Sequence, residues 1–580
     1  MTATAASASA RLRHIALVAA VGVLAAVLPA AGAPAGAPGD APQGLNPPPP
    51  GAVEVVPGDV DLQYFWMTDD SLWALSTEGT VIRRSLDATD SAVTLGRAEE
   101  VVRVEQTAVA AADGTIGYLR PVDHRIVFRA PDGAEEVPAW GTGDAYRWGV
   151  GALTADWFVT GDWGNSVVSR ATGAQLDLMA VSSAPADSTA ASLGGVALAE
   201  DRVVWAAVGA RPGGGWSRVY TAALGPDGIV GPVLVLDSAA QGDWMVGGST
   251  VAPLTMSGPL ILWSERTVEP SGPGRTTLRW LPGPPYTATP GSLELGSTWL
   301  QVVGLTGTSV VLRGPRGGGL GEQLEWHDLA SADPSAVTRT VVVPWAGQVH
   351  VHGSLVGYSD SISSSGDPYE TWLFDVDGRP ITADQRPLVR LPSFTDVARY
   401  GTFAEEILWL ADRGVVAGYP DGSFRGLAAI NRDAVAAFLY RAVHGPGAAP
   451  ACATAPFTDV PVSHPFCGEV AWLVAEGVAT GWPDGSFRPG VPVTREAVAA
   501  FVYRLVHDDV EVPACTEAPF SDVGVVNPFC GAVAWLAETG VSTGWADGTY
   551  RPALSIERQA MAAFLARLLL GGGLLPAGEA

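Results

Sequence analysis

Two patterns of apolar and polar positions divide the chain. From about Ala52 to Arg390, short β-prone runs alternate with Gly, Pro, Asp and Ser turns, and no long helical stripe develops. Seven runs read as inner strands: Ser71–Leu75, Thr107–Ala111, Asp156–Thr160, Arg202–Ala206, Leu260–Ser264, Ser309–Arg313 and Ser354–Tyr358. Partner strands follow, such as Arg125–Phe128, Arg218–Thr221, Thr277–Trp280 and Glu370–Phe374, and many end in turns such as Pro131-Asp132-Gly133, Pro226-Asp227-Gly228 and Asp377-Gly378. Seven pairs over about 340 residues give a period of about 48, the length of one four-stranded blade. Radial closure leaves only short edges exposed. The pattern predicts an all-β propeller of about seven blades over 52–390; two stacked β-sandwich domains are the alternative.

Beyond residue 390 the period changes to that of helices. Phe466, Val470 and Leu473 follow one helical face, as do Val498, Phe501, Val502 and Leu505. Thr494 and Asn431 are good N-caps and Glu557 a poorer one, Pro465 suits a first helical turn, and Gly414, Gly477 and Gly540 suit helix ends. Between the helices, Pro483-Asp484-Gly485 reads as a tight turn. The text occurs three times. Trp409, Trp472 and Trp535 stand 63 residues apart, and so do Asp421/Asp484/Asp547, Arg425/Arg488/Arg551, Arg432/Arg495/Arg558 and Phe438/Phe501/Phe564. A unit of about 50 residues buries too little apolar surface to stand alone, so the three are expected to pack together, with the three tryptophans between units.

These residues resemble the S-layer homology (SLH) domain in its triplet arrangement, over roughly Pro392–Leu570. Phe-x-Asp-Val, Gly-aromatic-x-Asp-Gly-x-Phe/Tyr-Arg and x-Arg-x-Ala recur in every copy. The resemblance implies an all-α, pseudo-threefold spindle with units at 391–444, 455–507 and 518–570. It also implies non-covalent binding of cell-wall glycopolymer, usually an anionic, often pyruvylated sugar, in grooves between units. The family's Thr-Arg-Ala-Glu motif falls on Thr494-Arg495-Glu496-Ala497, Asn431-Arg432-Asp433-Ala434 and Glu557-Arg558-Gln559-Ala560, where only Arg is kept throughout. Its His-Trp-Ala falls on Gly401-Thr402-Phe403, His464-Pro465-Phe466 and Asn527-Pro528-Phe529.

Charge changes the picture. The formal net charge is −26, with 34 cationic residues, all arginine, against 60 acidic ones. A chain this acidic repels nucleic acid and anionic lipid as a whole, so an anion site must be a local cluster. Arg11, Arg13 and His14 precede the apolar run Ile15–Leu28 and then small residues, the order of a secretory signal peptide over 1–33. The run is short for a membrane anchor and no cationic stop follows it. Residues 34–51, with four consecutive prolines, read as a stiff linker.

The candidate chemistry lies in the triplet. Cys452 and Cys467 are 15 apart, as are Cys515 and Cys530, and the first unit has Val389 and Ala404 at the matching places. Their joint absence there argues for pairs Cys452–Cys467 and Cys515–Cys530, which an exported chain can form and which would each stabilise by about 3 kcal/mol. A shared zinc site fails because His464 is matched by Asn527. Arg432, Arg495 and Arg558 open the second helices, where free N–H groups and the helix dipole would join a guanidinium in holding a carboxylate. Tyr419, Trp482 and Trp545 offer flat faces to a sugar beside Asp421, Asp484 and Asp547. Alternatively, the arginines pair with a neighbouring unit's Asp and the aromatics fill the core.

The front domain offers little chemistry. No nucleophile elbow, zinc-protease motif or phosphate loop is present, and neither a cofactor nor a metal is expected. Asp156, Asp162, Asp243 and Glu265 read as turn carboxylates, Asp375-Val376-Asp377-Gly378 as a hairpin turn, and His350-Val351-His352 as two imidazoles on one strand face. The expectation is an exported bacterial cell-wall protein with no transmembrane anchor in its mature form. Three SLH units would hold it on an anionic polysaccharide, and its propeller would be a binding or scaffolding domain of unknown partner. A wall-anchored polysaccharide enzyme and a lattice-forming subunit are the alternatives.

Overall fold

The computed structural model describes most of residues 51–571; the longest stretches left out are 139–149, 239–254 and 361–370. The leader at 1–33 and nearly all of the linker lie outside the described residues. Two compact units divide the chain, one over 32–120 and 125–390, the other over 121–124 and from Leu391 onward.

The first unit is a seven-bladed propeller. Among the described residues seven separate sheets follow one another along the chain, antiparallel but for Ile381–Ala383, which pairs parallel with Val93–Leu95 in the first blade. The last is completed by the earliest strand, Val53–Val56, which pairs with Thr371–Asp375 of the final blade and so closes the ring. First strands of neighbouring blades lie against each other, as Ala108–Ala110 does on Val150–Leu153 and Gln301–Thr306 on Ala346–His352, and Ala346–His352 returns to Leu62–Met67. Six of the seven runs read from sequence as inner strands are instead the second strand of their blade, among them Ser71–Ser76, Trp157–Thr160, Arg202–Arg211 and Leu260–Thr267. Only the run at Thr107–Ala111 contains a first strand, Ala108–Ala110.

Tryptophan wedges the blades together. Trp73, fully buried, packs with Ala108, Ile116 and Tyr118 of the next blade, and Trp205 and Trp216 pack with Trp157 and Val167 of the preceding one. Asp375 shapes a hairpin turn by accepting from the Asp377 N–H at 2.7 Å and from Arg379 Nε at 2.6 Å, while Gly378 takes φ 77°. His350 is half-buried, and burial of its ring together with the neighbouring His352 pushes its imidazole down to about 4. His352 Nε2 lies 2.8 Å from Asp69 Oδ1. Among the described residues no group of three or more His, Cys, Asp or Glu is placed to hold a metal ion. Asp162 and Asp243 lie outside the described residues.

Among the described residues the second unit holds six helices in three pairs: α1 (Ala404–Asp412) with α2 (Arg432–His444), α3 (Cys467–Ala475) with α4 (Arg495–His507), and α5 (Cys530–Glu538) with α6 (Arg558–Leu569). Helix α3 begins two residues after Pro465. It ends as expected: Gly477 takes φ 69°, and the Val478 and Gly477 N–H groups reach the carbonyls of Leu473 and Val474. Val470, Leu473, Val498, Phe501, Val502 and Leu505 share one core with their counterparts in the other copies. Trp472 meets Tyr440 edge-on at 5.3 Å, and Trp535 meets Tyr503 at 5.8 Å, so both tryptophans join successive units.

The three units close into a ring through their backbones. The Ile430 N–H donates to Ile556 O, the Ile556 N–H to Val493 O and the Val493 N–H to Ile430 O, each at 2.9–3.0 Å. These residues are 63 apart, so one bond is repeated by pseudo-threefold symmetry. Cysteines 452 and 467 are bonded, as are 515 and 530, with Cα–Cα distances of 5.6 and 5.5 Å. Each bridge ties the incoming segment to the first residue of α3 or α5. Among the described residues no helix is long and apolar enough to cross a membrane.

Candidate functional site

Each unit presents one copy of the same cluster, built on the loop between its helices. The turn at Asp484 is fixed by its own carboxylate, which accepts from the Ser486 N–H at 3.0 Å, the Ser486 hydroxyl at 2.5 Å and Arg488 Nη2 at 3.1 Å. The Ser486 hydroxyl and N–H, then Arg488, hold that carboxyl down at about 2. Asp421 and Asp547 make the same contacts and are likewise held low. All three stay exposed. Their first role is therefore to hold the loop's shape.

The loop carries a costly backbone. Arg425, Arg488 and Arg551 take φ 56°, 61° and 58°, a left-handed conformation that non-glycine residues rarely adopt. The Asp of Phe-x-Asp-Val holds them there. Asp459 accepts the Phe487 and Arg488 N–H groups at 2.7 and 2.8 Å, and Asp396 and Asp522 do the same in their units. So braced, each loop arginine lies over its unit's aromatic ring: Arg425 on Tyr419 at 4.0 Å, Arg488 on Trp482 at 4.1 Å and Arg551 on Trp545 at 4.4 Å. The rings remain 36%, 43% and 36% exposed.

The helix-opening arginines reach into the neighbouring unit. Arg432 Nε donates to Phe487 O at 2.8 Å, Arg495 Nε to Tyr550 O at 2.9 Å and Arg558 Nε to Phe424 O at 3.0 Å, so unit one grips two, two grips three and three grips one. Each guanidinium also lies against rings: Arg432 on Phe487 and Phe501, Arg495 on Trp545 and Tyr550, Arg558 on Tyr419 and Phe424. They are 5–9% exposed, and burial pulls all three below the ordinary arginine value. None has a carboxylate within ion-pair range among the described residues.

The N–H groups expected to be free at these helix starts are occupied. Arg432 and Asp433 donate their N–H groups to Val491 O and Pro489 O, Arg495 and Glu496 to Leu554 O and Pro552 O, and Arg558 and Gln559 to Ala428 O and Gly426 O. Asn431 and Glu557 make no side-chain cap bond. The neighbouring unit's loop does the capping, leaving the dipole but not its donors. The structure thus brings Tyr419 together with Arg425 and Arg558, and Trp545 with Arg551 and Arg495; Trp482 has Arg488. Sequence reasoning gives a ligand role to the helix-opening arginines but none to the loop arginines or the Phe-x-Asp-Val aspartates, although both sets recur at the 63-residue interval.

The S-layer homology domain model matches residues 393–436, 456–499 and 519–562, so the chain carries three such domains. It is 28% identical over 172 residues to "Cell surface glycoprotein 1" of Acetivibrio thermocellus and 30% identical over 119 residues to "Cell surface protein" of Thermoanaerobacter kivui. The matches take in 28% and 20% of this chain but only 7% and 16% of those proteins. Among solved structures, the β-propeller domain of the trilobed protease from Pyrococcus furiosus aligns over 55% of this chain and 95% of its own at 10% identity and a TM-score of 0.33. A catalytically inactive virginiamycin B lyase from Staphylococcus aureus aligns over 56% and 97% at 10% identity and 0.31.

Proposed function

We propose that this is an exported cell-surface protein held non-covalently on cell-wall glycopolymer by its three SLH domains, with the propeller displayed as a binding or scaffolding module. SLH domains bind cell-wall polymers in general, and the two relatives are named as cell-surface proteins. The observation that carries the reading is the threefold cluster of an exposed aromatic ring under a loop arginine, with a buried guanidinium beside two of the rings. On a chain of net charge −26, the two arginines of each cluster offset its two aspartates and leave it less negative than the chain as a whole. A forked guanidinium suits a carboxylate, and a half-exposed ring suits a sugar face, so the ligand is an acidic glycan. Tyr419, Trp482 and Trp545 supply the platform. Arg425, Arg488 and Arg551 supply accessible charge, the edges of Arg432, Arg495 and Arg558 add to it, and Asp421, Asp484 and Asp547 keep the loops in shape.

Co-sedimentation with purified wall tests this. The full chain should pellet with intact wall and stay in the supernatant once acidic glycopolymer has been stripped from it. Equal pelleting with both walls would refute the anchor. Tyr419→Ala, Trp482→Ala and Trp545→Ala together should release the protein from intact wall while its helical circular dichroism is kept.

A further inference from the structure

The junctions between units repeat one arrangement of an arginine and an acid with three different outcomes. At the junction of units three and one, Arg567 Nη2 lies 3.6 Å from Glu406 Oε1, both largely buried. At the junction of units two and three the acid's position is held by Ala532, and Arg504 Nη1 donates to Val478 O at 3.3 Å. At the junction of units one and two both charges are present, as Arg441 and Glu469, yet they form no ion pair. Instead they line an open cleft of about 530 Å³, walled by Phe394, Val416 and Pro446. Glu469 is only 5% exposed, and its Oε2 is buried without a hydrogen-bond partner.

A carboxylate oxygen buried without a partner is costly, and the cost is offset when a cation or hydrogen-bond donor meets it. The cleft is of the size that holds small molecules. One wall offers an acceptor for a positive group and another a forked donor for a negative one, with apolar surface between them. We propose that this cleft binds a small apolar α-amino acid, its ammonium on Glu469, its carboxylate on Arg441 and its side chain against Phe394 and Val416. The site is separate from the three loop clusters and needs no glycan.

Isothermal titration of the full chain with L-alanine tests the assignment. Binding should be measurable at millimolar concentration. Alaninamide, which keeps only the ammonium, and N-acetylalanine, which keeps only the carboxylate, should each bind at least about tenfold more weakly, the loss of one charge-assisted contact. Glu469→Gln and Arg441→Gln should weaken alanine binding by a similar factor while the helical circular dichroism is unchanged. No heat with alanine, or equal affinity in the variants, would overturn the proposal. It would also fall if Arg441→Gln and Glu469→Gln proved strongly coupled in thermal stability with alanine still unbound, for Arg441 would then close on Glu469 as Arg567 does on Glu406. Where alanine binds, release of wall-bound protein by alanine marks the wall's own amino acids as the source, and unchanged retention marks the free amino acid. Titration needs no wall, so its failure leaves the anchoring proposal standing.

Discussion

The propeller and the helical triplet treat the same side chains in opposite ways. Trp73, Trp205, Trp216 and Trp263 of the propeller are at most 2% exposed, sealed between blades, whereas Tyr419, Trp482 and Trp545 of the triplet keep more than a third of their surface in water. Arginine divides similarly. In the propeller, Arg120 and Arg129 converge on Glu135, and Arg313 meets Glu322 at 2.7 Å, so the charge is neutralised locally. In the triplet, three arginines are buried against rings and carbonyls with no carboxylate in ion-pair range among the described residues, and three more sit exposed at positive φ, each paired with its loop's Asp. A side chain buried between blades serves the fold. An exposed ring under a strained arginine, repeated three times, leaves a face open to solvent that the proposed wall anchor uses.

The largest test separates the two sets of arginines. Arg432→Ala, Arg495→Ala and Arg558→Ala each remove a charge-assisted bond to a neighbouring carbonyl, worth about 2 kcal/mol. Together they should melt the triplet's helical signal well below its normal temperature while the propeller's transition stays in place. Alanine at Arg425, Arg488 and Arg551 removes only exposed ion pairs, which contribute little to stability, yet should cost wall retention. If both sets left the helical melting temperature untouched, the buried arginines would not be the latches between units.

The next test rests on cysteine distribution. Both disulfides lie in the triplet, one each in units two and three, and the propeller has no cysteine. Reduction, or Cys452→Ser with Cys515→Ser, should lower triplet stability by about 3 kcal/mol per bridge, as expected for a closed loop of this length. The propeller transition should not move. A shift there would mean that the two regions unfold together.

How far sequence carried the reading follows from the same comparison. The triplet was legible because its insertion-free interval placed every copy of a residue on its counterparts, so helices, turns and disulfides could be read in register. What could not be read was the acceptor of Arg432, Arg495 and Arg558: a backbone carbonyl 55 residues on, or in the first unit for Arg558, has no side-chain signature. The occupied N–H groups of α2, α4 and α6 were hidden for the same reason. In the propeller, blade number was visible but strand rank was not. Second strands such as Ser71–Ser76 are buried on both faces and read strongly, while first strands such as Gln301–Thr306 keep every residue at least partly exposed.

The smallest effect concerns one junction within the triplet. Asp433, in the first turn of α2, has its Oδ2 3.6 Å from His464 Nε2, where the next junction has Asn527 Nδ2 donating to Glu496 Oε2 at 3.0 Å. Burial raises the Asp433 carboxyl above its ordinary value of 3.8, and the Ala434 N–H and His464 only partly counter it. The folded chain therefore holds this proton more tightly than the unfolded one. Its contribution to stability is complete below pH 3.8 and is lost as pH rises through the folded value. Asp433→Asn should accordingly melt with wild type in acid and gain stability as pH climbs toward neutrality. Titrating groups other than His464, which faces Asp433, are common to both proteins and cancel in the difference. Loss of stability in Asp433→Asn at neutral pH would reverse the sign, showing that the contact with His464 outweighs burial and acts as a clasp between units one and two.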